Sequence, residues 1–192
     1  ENVTIIGEDI TERLRAEEEL RLDDMRLEAL LRLNQMTDAD LQEITSFALE
    51  QAVRLTGSRI GYLAFAGEDE SVLTMHAWSS AAMAECRMQE MPRIYQVSET
   101  GLWGEPVRQR RPIITNAYEG PHPGKKGCPE GHVHVDRHLG VPVLDGGRIV
   151  IVAGVGNKES DYNESDVRQL DLLMSGMWRI LQRKRAEEAL KE

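Results

Sequence analysis

The chain has 192 residues, 41% of them apolar and 29% charged, which fits one ordinary domain with attachments and excludes a large multidomain enzyme within this sequence. Acidic side chains outnumber basic ones 33 to 23, and the net charge of -10 repels phosphate backbones, so nucleic-acid binding is not expected. No apolar run approaches the roughly 18–20 residues of a membrane span, no secretory leader is visible, and two cysteines, Cys86 and Cys128, are too few for a disulfide framework. The expectation is a cytoplasmic chain without membrane insertion.

In chain order, Val3, Ile5 and the turn-forming Gly7 read as the end of a strand whose partners lie outside this sequence. Residues 14–34 are highly charged, carry Leu20, Leu27 and Leu31 at heptad-like spacing, and read as one long helix. The run "DITERLRAEEEL" at residues 9–20 resembles the C-terminal strand and exit linker of a PAS sensor domain. Its "RAEEEL" returns as "RAEEAL" at residues 185–190, so similar connectors bracket a central module. The division this implies is residues 1–36 as the end of a preceding PAS-like domain plus linker helix, 37–182 as the module, and 183–192 as the start of a C-terminal linker helix.

Thr37 followed by Asp40 reads as a helix start, with Leu41, Ile44, Ala48 and Ala52 as its buried stripe and Gly57 as its stop. Residues 59–66 and 72–78 read as a hairpin. Strict alternation in its second strand puts Val72, Thr74, His76 and Trp78 on one face and Leu73, Met75 and Ala77 on the other. Ser79 then caps a short helix carrying Ala82, Met83 and Cys86, a strand falls near residues 94–97, residues 101–107 open another short helix, and residues 112–116 form a strand. Residues 118–134 hold four Gly, three Pro and three His without periodicity, which marks a long irregular loop of the functional kind.

Residues 139–144 and 148–155, joined by Asp145, Gly146 and Gly147, make the clearest hairpin, and the apolar second strand is expected to be central and covered on both faces. Asn163 caps the last helix, in which Val167, Leu170, Met174, Met177 and Leu181 fall at spacings 3, 4, 3, 4, a coiled-coil seam. Leu173, Trp178 and Ile180 form a second stripe. We therefore expect one helical surface for the chain's own sheet and another for a second subunit, with about two turns projecting beyond the sheet.

This element order, together with "GLWGEPVRQRRPIITN" at residues 101–116, "VPVLDGG" at 141–147, "GVGNK" at 154–158 and Asp166, resembles the GAF family of sensory domains over about residues 37–182; Asn116 stands where that family usually has Asp. "AWS..AM..C", "GLWGE", "KKG.PEGH" and "RQL.LLM.GMW" resemble a GAF subgroup of prokaryotic sensor histidine kinases and other two-component signalling proteins. The resemblance implies an α+β, GAF-like fold of the PAS-like superfold, with a central antiparallel sheet, helices on both faces and long terminal linker helices. It also implies a ligand-sensing, non-enzymatic module that relays occupancy through dimeric terminal helices.

No nucleophile elbow, Walker loop or HExxH pair is present, and the phosphotransfer and ATP-binding motifs of a kinase core are absent from this sequence. Residues 108–137 hold Arg108, Arg110, Arg111, Lys125, Lys126 and Arg137 against Glu119, Glu130 and Asp136, so a basic mouth suits a small anionic ligand. The expected ligand-binding set is Trp78, Cys86, Trp103, Lys125, Lys126, His132 and Arg137. His122, Cys128, His132 and His134 carry zinc-competent atoms without a recognised four-ligand pattern, and no metal site is assigned. Some archaeal sensor kinases of the resembling subgroup hold haem in the GAF pocket, which would place His132 on the iron and Cys86 as a covalent tether, although no CxxCH attachment motif occurs. A weaker alternative is an enzyme like the GAF-fold reductases of free methionine sulfoxide, working through Cys86 and Cys128.

Overall fold

The computed structural model describes residues 2–87, 93–127 and 131–190. Its first element is one helix, α1 (Asn2–Gln35). The expected strand at residues 3–7 is therefore helical, because no neighbouring strand pairs with it, and a helix satisfies its backbone groups within its own segment. Asp40 rather than Thr37 starts α2 (Leu41–Leu55): its carboxylate accepts from the Glu43 amide, and the Glu43 side chain accepts from the Asp40 amide, a reciprocal cap that Thr37 is too distant to supply. Ile44, Ala48 and Ala52 are buried as their spacing predicts.

Among the described residues six strands follow: β1 (Ile60–Ala66), β2 (Val72–Trp78), β3 (Ile94–Gln96), β4 (Ile113–Thr115), β5 (His138–Asp145) and β6 (Arg148–Gly156). They form one antiparallel sheet in the order β3-β2-β1-β6-β5-β4. The apolar β6 is central, as expected, with Ile151, Val152 and Ala153 fully buried. Gly146 and Gly147 at φ 57° and 80° close the β5–β6 hairpin in a left-handed turn that β-carbons would strain.

The β1–β2 register jumps from Leu63 opposite Ala77 to Ala64 opposite Met75, leaving His76 unpaired. This bulge reverses the alternation beyond it, so Trp78 lines the same cavity as Met75 instead of facing away from it.

One face of the sheet carries α1, α2 and the last helix α5 (Glu164–Ala189) in a single core that includes Leu33, Ile44, Leu63, Val141 and Met174. The other face carries Leu73, Val97, Val107, Ile149 and Val152 under shorter elements: α3 (Ser80–Glu85), the 3-10 turns Val97–Glu99 and Leu102–Gly104, and α4 (Glu105–Gln109). Asn163 caps α5 as read from the sequence.

The expected division of α5 into two surfaces is not what forms. Leu170, Met174, Met177 and Leu181 of the seam are buried together with Leu173 and Trp178 of the other stripe, because α1 and α2 both pack along α5 in the same core and cover the seam from within the chain. Gln169 of α5 bonds both Arg26 and Asp23 of α1, and a β-carbon at Gly176 would come within 2.4 Å of Leu30. Beyond Leu181 the helix has no buried positions among the described residues, in keeping with the expected projection.

Candidate functional site

Between the second sheet face and the loop of residues 116–137 lies a cavity of about 160 Å³. Tyr62 comes from β1, Met75 and Trp78 from β2, Tyr95 from β3, Trp103 from the 3-10 turn and Tyr118 from the loop. Cys86 stands at the C-cap of α3, and His132, Val133 and Val135 close the loop side. The floor is made by His138, Val155 and Gly156 at the adjoining ends of β5 and β6.

Glycines make room for the rings. Gly140 and Gly154 face each other across β5 and β6, and a β-carbon at Gly154 would fall 2.3 Å from the Tyr62 ring. At Gly140 it would fall 2.7 Å from Pro106 and 3.1 Å from His138. Tyr62 thus lies flat across β6, parallel to the His138 ring at 5.9 Å, and meets Trp103 edge-on at 5.8 Å. Trp103 in turn meets Tyr95 edge-on at 5.1 Å, the geometry that ring quadrupoles favour.

Burial holds the ionisable groups of this wall in their neutral forms. It pushes the Tyr62 phenol far above its ordinary value and raises that of Tyr95, and it lowers the His138 imidazole to about 4. The cause is desolvation, which penalises whichever form is charged.

Of the residues expected from sequence to bind a ligand, Trp78, Cys86, Trp103 and His132 line the cavity together. The backbones beside two of them are joined, since the Arg87 amide donates to the Gly131 carbonyl at 2.8 Å. Lys125, Lys126 and Arg137 stand elsewhere. Lys125 donates to the Glu119 carbonyl, Lys126 to the Ser98 carbonyl, and Arg137 pairs with Asp161. Their charges stitch the loop to itself and to its surroundings, so the expected basic mouth is spent on those contacts, and no Lys or Arg is among the described residues of the cavity wall.

Among the described residues, the one group of potential metal ligands within mutual reach is Glu119, His134 and Asp136, all exposed. Of the histidines weighed for zinc it includes His134 alone, and Cys128 lies outside the described residues.

Sequence reasoning missed Tyr62, Tyr95, Tyr118 and His138. The available signal was glycine inside strands, at Gly140, Gly154 and Gly156, which marks a close approach of something bulky.

A family model for the GAF domain matches residues 38–182. The methyl sulfide methyltransferase-associated sensor of Methanosarcina acetivorans is 61% identical over 186 residues, and the match covers 97% of this chain but 19% of that protein. The chain therefore spans about a fifth of that relative. Among solved structures, the GAF domain of a phosphoenolpyruvate-protein phosphotransferase from Coxiella burnetii superimposes with a TM-score of 0.66 at 16% identity, covering 85% of this chain and 96% of that one. The free methionine-R-sulfoxide reductase of Neisseria meningitidis, solved with its substrate, gives 0.63 at 12% identity, covering 84% and 91%. Likeness at such identities carries the fold and no activity.

Proposed function

Because the chain belongs to the GAF domain family, we propose that it is the ligand-sensing module of a larger signalling protein, a sensor histidine kinase, with its ligand in the cavity between sheet and loop. The observation that carries this reading is the aromatic-walled cavity with Cys86 and His132 on its rim. An output route is available along β5, which begins at His138 in the cavity floor and ends at Asp145, whose carboxylate accepts from the Trp178 indole of α5 at 2.9 Å. A ligand shifts the terminal helices only through different affinity for two arrangements, and a strand shared by cavity and helix lets occupancy bias them. No catalytic step is assigned to the chain.

The occupant best matched to Cys86 and His132 is haem, which when bound supplies an iron that takes up electrons or small gases. The donor set fits. His132 Nδ1 lies 2.7 Å from the Val133 carbonyl, and since a carbonyl only accepts, Nδ1 carries the proton and Nε2 keeps its lone pair, the arrangement typical of a metal-ligating histidine. Cys86 supplies a thiol on the same cavity wall. The enclosed volume is benzene-sized, below the roughly 300–1,000 Å³ of larger-ligand pockets, so a porphyrin requires the loop to lift.

The purified domain is expected to retain a small molecule as added mass in native mass spectrometry. With haem as that molecule, a Soret band appears, Cys86→Ala makes the pigment extractable into acidified solvent, and His132→Ala shifts the band. A ligand-free spectrum, with no Soret band after incubation with haemin, would remove both readings.

The homodimer expected through the terminal helices is proposed along α1, since the α5 seam is filled internally. Ile10, Leu14, Leu20, Leu27 and Leu31 are more than half exposed, and Leu20, Leu27 and Leu31 follow a coiled-coil repeat. Leu27→Cys is expected to form a symmetric disulfide dimer under mild oxidation, whereas a cysteine at Leu181, 3% exposed, is not. A purely monomeric Leu27→Cys product would defeat this interface.

A further inference from the structure

His138 is 5% exposed and is held from three sides. Tyr62 stacks on it, Tyr118 meets it edge-on at 5.8 Å, and Gly140 leaves space beside its Cε1. Its Nε2 lies 3.1 Å from the Tyr62 hydroxyl, which lies 3.4 Å from the Trp103 carbonyl. The carbonyl has no proton to give. Both contacts are hydrogen bonds only if Tyr62 donates to Trp103 and His138 Nε2–H donates to Tyr62.

That tautomer leaves Nδ1 as a bare lone pair, buried and without a hydrogen-bond partner among the described residues. Buried polar atoms are rarely left so, and ligand pockets characteristically set a few polar atoms into an apolar wall to orient what enters. We propose that His138 is the specificity-determining contact of this cavity, its Nδ1 accepting a hydrogen bond from the O–H or N–H of a flat, benzene-sized ligand or ligand moiety. The inference rests on the reading that the cavity holds the sensory ligand. Size and wall agree with it: about 160 Å³, rimmed by Tyr62, Trp78, Tyr95, Trp103 and Tyr118, with no Lys, Arg, Asp or Glu among the described lining residues. Burial lowers the imidazole to about 4, so the acceptor stays available throughout the neutral range.

The test uses the 192-residue chain with phenol and toluene, two probes of equal size that differ in the donor. In the unmodified chain phenol is expected to bind at least as tightly as toluene, against its greater cost of leaving water. His138→Phe, which preserves ring volume, is expected to weaken phenol about tenfold, the scale of one hydrogen bond, and to leave toluene unchanged. Independently of any variant, phenol but not toluene is expected to move the Nδ1 resonance of His138 in nitrogen-15 histidine spectra. Toluene binding with phenol excluded, an unchanged phenol affinity in His138→Phe, or a static Nδ1 resonance in the presence of phenol would each overturn the role of His138 while leaving the cavity reading intact. Failure of both probes to bind would overturn the role of His138, and failure of both together with no retained mass in native mass spectrometry would overturn the cavity reading as well.

Discussion

Acidification from pH 7 to pH 4.5 is expected to destabilise the domain by roughly 2–3 kcal/mol through His138 alone. In the unfolded chain this imidazole titrates near 6.5, and in the folded one near 4. Above 6.5 both states are neutral and no penalty exists. Below 6.5 the unfolded chain binds a proton that the folded chain refuses until about 4, so stability is complete above the higher value and is lost as pH falls through the interval. His76 is shifted in the same direction by burial and adds to the trend. Glu70 and Glu105 are held below their ordinary 4.5 by the groups bonded to them, first of all Arg110 and Gln109 respectively, so their contribution is lost only on further acidification. Asp171 is raised by burial, so its protonation offsets part of the loss, and it is the His138 variant that isolates the imidazole. Urea titrations at pH 7, 5.5 and 4.5 measure the slope. His138→Phe is expected to remove most of it, and a variant as acid-sensitive as the parent would show that the proton is taken up elsewhere.

Why His138 escaped the sequence reading while His132 did not is a matter of what each residue depends on. His132 sits in an irregular loop whose composition alone marks it as unusual. His138 opens a strand, and nothing local distinguishes it from a strand residue facing solvent. Its burial is decided by Tyr62 and Tyr118, which are 76 and 20 residues away in sequence. The elements themselves were legible because period, capping and turn chemistry are local: the Asn163 cap, the Gly146–Gly147 turn and the apolar run of β6 each stand where the residues place them.

Where local pattern failed, a non-local partner had taken over. Val167, Leu170, Met174, Met177 and Leu181 carry the same 3-4 spacing whether the helix beside them belongs to another subunit or to the same chain, and the sequence of α5 does not contain that choice. It is settled by α2 and by α1, whose Ala29 and Leu33 are 3% and 1% exposed against the same core. The basic loop failed likewise. Counting Lys125, Lys126 and Arg137 gives charge but not direction, and each finds an oxygen outside the cavity. The β2 bulge is a third case, since one unpaired residue at His76 reverses every facing beyond it.

Gly154→Ala is expected to be the most damaging single-methyl change in the sheet, costing about 1–3 kcal/mol, or roughly 3–10 °C in Tm. Elsewhere a glycine-to-alanine change in a strand recovers backbone entropy and helps. At Gly154 the added carbon lands 2.3, 2.4 and 2.5 Å from Cε1, Cζ and the hydroxyl oxygen of Tyr62. These atoms belong to a rigid ring boxed by Trp103 and His138, so the ring must swing out of its bed. That motion breaks the hydroxyl contacts to His138 and the Trp103 carbonyl and drives the ring into the cavity. The same substitution is therefore expected to lower both thermal stability and phenol binding. Tyr62→Leu removes the ring that is struck, so in a double-mutant cycle the pair is expected to lose less than the sum of the single losses. Strict additivity would mean that Gly154 is constrained by something other than Tyr62, and the glycine bed would no longer explain how the cavity keeps its aromatic wall.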